Sequence, residues 1–305
     1  MSLYPPPAVL TAEVFTRLPE KFRRRVRTAW ADANRGGEAI DSFLEGPSFD
    51  RAGNLWVSDI PHGRVFRISP AGEWTQMAEY DGWPNGLKIH RDGRIFITDY
   101  KRGIVLLDPA NGTITPLVET RHTENFKGVN DLVFASNGDL YFTDQGQTGW
   151  HDPTGRVYRL RASGALDRLV DTVPSPNGIV LNLSETQVYV AVTRANAVWR
   201  MPIMADGTVS KVGTWIQLSG GLGGPDGLAL DVESGLVVAD PGMAVWRFDR
   251  LGRPTHRIDS PAGLACTNVA FGGRENRSLF ITESESGSVL RCELPVPGRA
   301  MYSHA

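Results

Sequence analysis

The chain is poor in the features that most hydrolytic chemistries need. It has only two cysteines in 305 residues, Cys266 and Cys292. They form no CxxC pair, and the plainer expectation is two reduced thiols in a cytoplasmic protein, with a bridge within one repeat as the alternative. No Gly-Xaa-Ser-Xaa-Gly elbow, HExxH helix or phosphate loop occurs, which argues against covalent serine or cysteine catalysis. No apolar run approaches the roughly 18 residues of a membrane span, and the N-terminus lacks a basic-then-apolar signal. The formal net charge is only −2. That is too little to suggest a nucleic-acid or anionic-membrane partner.

Turn formers, by contrast, are plentiful. The 33 glycines and 20 prolines exceed the usual shares of about 7% and 5%, as an all-β chain with many turns requires. The stretch Glu45–Asp59 sets a frame: a polar residue, a short run of strand formers, a Gly-Asn turn, and a second apolar run ending on Asp. The frame returns from Asn85, Asn130, Asn177 and Asp226, and more loosely from Asn268, at spacings of 40, 45, 47, 49 and 42 residues. A period in the forties built of short strands predicts a β-propeller with one blade per repeat, hence six blades over 45–294 in one closed domain. Ala52-Gly53-Asn54, Asp92-Gly93, Asn137-Gly138 and Ser234-Gly235 read as the hairpin turns.

Residues 9–17 stand before any complete blade and read as a strand that joins the last blade and closes the ring, leaving no open edge. Between it and Glu45 lies an insertion, 18–44. Its core, Pro19 to Asn34, places Phe22, Val26, Ala29, Trp30 and Ala33 at helical spacing, so a surface helix is expected there. With both ends tethered on the face where the inner strands begin, it could act as a lid, with Arg23, Arg24 or Arg27 attracting an anionic substrate, or as a dimer contact. Monomer and homodimer both remain open.

The first residues of the six inner strands, Glu45, Asn85, Asn130, Asn177, Asp226 and Asn268, are all oxygen donors that the propeller directs at one axis. Hard oxygen ligands with two carboxylates suit one divalent ion, calcium first, with zinc, manganese, magnesium or iron as alternatives. Each Asn-Gly or Asp-Gly taken alone reads as a turn. Asp59, Asp99, Asp144 and Asp240 end the second strands in phase and are expected to hydrogen-bond the following loops. Those loops offer His62, Tyr100, Lys101, Arg102, Trp150, His151, Arg194 and Met243 as pocket candidates.

Glu45-Gly-Pro, Gly128-Val-Asn130-Asp131-Leu132, Ser175-Pro-Asn177-Gly178-Ile179 and Gly224-Pro-Asp226-Gly227-Leu228 together resemble the SMP-30/gluconolactonase/LRE family of six-bladed propeller lactonases. The resemblance implies that Glu45, Asn177 and Asp226 hold one divalent metal, with Asn130 a further ligand or substrate contact. It also implies hydrolysis of a small polar lactone, often a sugar lactone. Asp226, or else Glu45, would assist proton transfer from water. Asn85, His62, Tyr100, Trp150, His151 and Arg194 are the expected substrate contacts. Some family members carry an Arg two residues before the third-blade Asn, where this chain has Gly128. An organophosphate hydrolase similar to diisopropylfluorophosphatase and a non-enzymatic ligand-binding propeller are the rival readings.

Overall fold

The computed structural model describes residues 4–304. Six antiparallel sheets, each numbered outward from its inner strand, follow one another as blades 1 to 6. Their inner strands are Leu44–Phe49, Pro84–Ile89, Val129–Phe134, Pro176–Leu181, Leu228–Leu230 and Cys266–Gly272. These inner strands are almost wholly buried, whereas the outermost strands, such as Ile114–Val118, are half exposed. That gradient follows from the architecture, since the inner strand packs on both neighbouring blades while the outer one faces water on one side. Turn glycines take the expected left-handed backbone at Gly53, Gly93 and Gly138, with φ of 80°, 93° and 89°. At the fifth hairpin the positive φ falls on Ser234 instead.

The N-terminal residues 9–17 do not form one strand. They divide at Ala12 into Ala8–Thr11, which pairs in parallel with Pro254–Asp259 at the edge of blade 5, and Glu13–Arg17, which pairs antiparallel with Ser288–Glu293 of blade 6. The segment therefore ties two blades together. The seam it completes, between blades 6 and 1, is dense in aromatics. Phe15 and Phe49 both meet Phe280, at ring-centroid distances of 5.2 and 4.9 Å, and Phe22 meets Phe66 at 5.1 Å.

The expected helix over 19–34 is also not continuous. Only a 3₁₀ turn at Glu20–Phe22 and a single α-helix of six residues, Ala29–Asn34, are helical. Ion pairs pull the intervening chain away from a helical course. Arg23 pairs with Asp41, whose other oxygen accepts the Arg24 N–H, and Val26 bridges Ile40. Thr28 then caps the short helix by accepting the Ala31 N–H. Trp30 is buried against Phe43 and Ile60. Arg24 pairs with Glu79 and Arg27 with Asp32, so the three arginines expected to attract an anion are each matched by a carboxylate.

After blade 6 the C-terminal segment crosses the face opposite the inner-strand starts. Gly298 bridges Asp231 of blade 5, and the Arg299 guanidinium donates to the carbonyls of Leu181 and Asn182 in blade 4. Tyr302 stacks on Phe134 of blade 3 and lies against His90 in the first hairpin of blade 2, while Ser303 Oγ donates to the Phe49 carbonyl of blade 1. Cys266 and Cys292 are free and buried, with burial pushing their thiols up to about 12 and about 11.

Candidate functional site

The inner strands begin with an irregularity in their ladders. Register shifts separate Glu45 from Ser48, Pro84 from Leu87, Val129 from Leu132, Pro176 from Ile179 and Cys266 from Asn268. In blade 5 the ladder starts only at Leu228, after Asp226 and Gly227. Such bulges re-aim side chains locally, here at the mouth of the central channel.

The glycines that follow Asn85, Asn177 and Asp226 are not turn elements. Gly86 and Gly178 lie inside strands, and their φ values are not positive. A Cβ on Gly86 would come within 2.6 Å of Asp131 Oδ1, one on Gly178 would meet the Asp226 carbonyl, and one on Gly227 would meet the Asn268 side chain. The small residue lets each inner strand approach the next. In blade 3 that position is Asp131, whose carboxyl occupies the space Gly86 leaves open.

Glu45 is 2% exposed. Its Oε2 accepts the Gly46 N–H at 2.9 Å and Asn268 Nδ2 at 2.8 Å. Burial pushes its carboxyl up to about 7 against those donors; the nearby Asp131 adds to the rise and Lys88 opposes it. Asp226 keeps part of its surface open at the mouth, but its carboxyl is enclosed and held well above the usual carboxylate range. Burial is the main cause, followed by the charges of Glu45 and Asp131, while Asn177 and Arg194 act in the opposite sense. Asp131, 2% exposed, is likewise raised by burial.

Asn177 is buried, yet among the described residues its Oδ1 has no hydrogen-bond donor. Asn130 gives its Nδ2 to Gln145 Oε1 at 2.7 Å, which fixes the amide's orientation, and Asn85 is buried at the same level. Asn268 stands apart from this set. Its amide supports Glu45 and its Oδ1 accepts the Val269 N–H, so it orients a carboxylate instead of offering an oxygen to the channel. Among the described residues no three His, Cys, Asp or Glu side chains are gathered closely enough to hold an ion alone. Amide oxygens must complete any such set. A buried amide oxygen without a donor, beside carboxyls whose ionisation burial disfavours, fits a hard divalent cation.

The pocket candidates scatter more widely. The Tyr100 ring lies over Gly128, where any Cβ would strike it, and stands 5.8 Å from Trp83. Glycine at 128 and the tyrosine at 100 therefore belong together. Gln147 Nε2 donates to the Tyr100 hydroxyl at 3.1 Å and to Asn34 Oδ1 at 3.3 Å, linking the inserted helix to the mouth loops. Trp150 is 68% exposed, and His151 and Arg194 both flank Gly149. His62 is tied to the Asp41 carbonyl at 3.0 Å, beneath the insertion. Lys101 pairs with Asp81, and Met243 lies against Gly220.

The strand-ending aspartates divide. Asp59 accepts the Phe43 N–H and pairs with buried Arg64, Asp99 accepts the N–H groups of Lys101 and Arg102, and Asp144 accepts those of Lys127 and Gly128. Asp240 has the Trp246 indole acting on it, but among the described residues its oxygens accept no well-formed hydrogen bond. Two residues went unread as site groups in the sequence, Asp131 and the Glu45-supporting role of Asn268. The clue to Asp131 was an acid where the first, second, fourth and fifth repeats have glycine.

The family model described as the SMP-30/gluconolactonase/LRE-like region matches residues 43–285. Lactonase drp35 of Staphylococcus aureus is 32% identical over 267 residues, covering 81% of each chain. The calcium-binding protein regucalcin of Agrobacterium tumefaciens superposes with a TM-score of 0.77 at 23% identity, over 98% of this chain and 99% of that one. A gluconolactonase of Xanthomonas campestris does so with a TM-score of 0.74 at 24% identity, over 94% and 97%.

Proposed function

The chain belongs to the SMP-30/gluconolactonase/LRE-like family, and from that membership we propose that it hydrolyses a small polar lactone, of the sugar-lactone kind, at the channel mouth. The observation that carries the reading is the donor-free Asn177 Oδ1 beside the raised carboxyls of Glu45 and Asp226. Glu45, Asn177 and Asp226 would hold one divalent ion, calcium first, with Asn130 as a fourth oxygen. When bound, such an ion supplies Lewis-acid polarisation of the lactone carbonyl.

The protein's own groups do the rest. Asp226, at the open edge of the set and crowded by like charge, takes the proton from the attacking water. Asn268 holds Glu45 through Oε2 and so keeps the acid from rotating out of the mouth. Arg194, whose charge already acts on Asp226, faces the carboxylate that forms as the ring opens. Trp83 and Tyr100 make an aromatic wall that holds the ring's apolar face and excludes water there.

The direct test is a lactone panel assayed before and after chelation, with an organophosphate ester alongside. Purified protein should carry about one divalent ion per chain by elemental analysis. Chelation should cut lactone turnover by about a hundredfold or more, and added calcium should restore it. Full activity in chelated, metal-free protein would reject this mechanism.

The inserted segment 18–43 lies against Ile60–His62 and reaches Gln147 through Asn34. We read it as a cover over the pocket. Replacing residues 19–36 with a Gly/Ser linker should raise KM or shift preference within the panel several-fold. A native KM for every lactone in that variant would defeat the cover reading, and conversion of a dimer to a monomer would assign the segment to an interface instead.

A further inference from the structure

Below the mouth, a channel cavity of about 140 Å³ takes part of its lining from one position on each inner strand: Pro47, Lys88, Val133, Val180, Ala229 and Ala270. Five of these are apolar, and Lys88 is the one charge. It sits three residues beyond Asn85 on the inner strand Pro84–Ile89, partly buried, and among the described residues it forms no direct ion pair. Its field acts upward on both Glu45 and Asp131. The other cation bordering this cavity, Arg299, is already bound to Glu185 and to two main-chain carbonyls.

A lysine in a ring of apolar residues is costly to bury, and no hydrogen-bonding partner below it offsets that cost. The charges above it do. Asp131 acts on Glu45, and both act on Asp226; Lys88 stands two residues along its strand from Gly86, where a Cβ would lie 2.6 Å from Asp131 Oδ1. Lys88 therefore lowers the net negative charge of the three carboxylates by one, from below, while Arg194 acts on Asp226 as the least of the influences on it. We propose that Lys88 is a built-in countercharge of the metal centre, setting its net charge and thereby its preference for divalent over trivalent cations. This rests on the metal reading above, and it concerns ion selection, not the reaction.

The electrostatic consequence scales with the ion. Removing one positive charge deepens the potential at the site equally for every ion, so the gain grows with ionic charge. K88M keeps the stem's bulk and deletes the charge. It should tighten calcium binding by about tenfold and terbium binding by about thirtyfold, measured by calorimetry and by terbium luminescence. D131N should act oppositely, weakening terbium more than calcium. The double variant K88M/D131N restores the original charge and should return both affinities to within about threefold of wild type. K88R, which keeps the charge, should keep the wild-type ratio of the two ions.

A merely structural Lys88 would lower thermal stability without moving the terbium-to-calcium ratio. K88M affinities within twofold of wild type for both ions would therefore overturn the proposal while leaving the metal centre standing. If K88M does not fold, equal weakening of both ions in D131N overturns it in the same way. Wild-type protein that binds neither ion would overturn the metal centre itself, and the countercharge with it.

Discussion

Asp226→Asn is expected to lower lactone kcat/KM by about a thousandfold or more, the range for loss of a positioned proton acceptor. The amide fills the same space but cannot take a proton, and it removes one of the negative charges that would hold the ion. Melting temperature of the metal-free protein should stay the same or rise. The carboxyl is raised by burial and by the charges of Glu45 and Asp131, so its ionised form is unfavourable in the fold. Neutralising it relieves that repulsion at neutral pH, where an unfolded chain would carry the charge freely. Activity lost together with stability would point to a structural role. Activity retained within tenfold would remove Asp226 from the chemistry.

Removal of residues 1–17 is expected to abolish folding or to yield aggregates. The two strands it deletes cover the edges of blades 5 and 6, and the deletion strips Phe15 from the aromatic seam that closes the ring. Two bare strand edges invite intermolecular pairing. Loss of that pairing and packing costs several kcal/mol, a large part of the 5–15 kcal/mol typical of a native protein. A soluble truncated monomer, with a melting temperature within a few degrees of the full chain, would show that the ring closes without them. Deleting residues 1–12 alone should be milder, because Glu13–Arg17 and Phe15 remain.

The propeller was legible in the sequence because each inner strand repeats one local pattern, and local patterns are what periodicity reports. The division of residues 9–17 was not, since Ala8–Thr11 finds its partner at Pro254–Asp259, far along the chain. The insertion misled for a related reason. Phe22, Val26 and Trp30 keep helical spacing, but Phe22 packs on Phe66 and Trp30 on Phe43, while Val26 is 43% exposed. Tertiary contacts and the Arg23–Asp41 pair override the period there. At the site, oxygen donors in phase marked the mouth. What they could not reveal was that Asn268 serves Glu45, or that the glycines are spacers between strands and not turns. Asp131 was hidden by standing next to a residue already chosen, Asn130.

The C-terminal crossing bears on how the molecule trades with solvent. Gly298–Ser303 meets every blade from the inner-strand end of blade 5 round to blade 1, and so floors the axial cavity on the face opposite the inner-strand starts. On the lactonase reading proposed above, reactant, water and opened hydroxy acid would share the doorway past Tyr100, Arg194 and the carboxylates, and the hydroxy acid would compete with its own precursor for that opening.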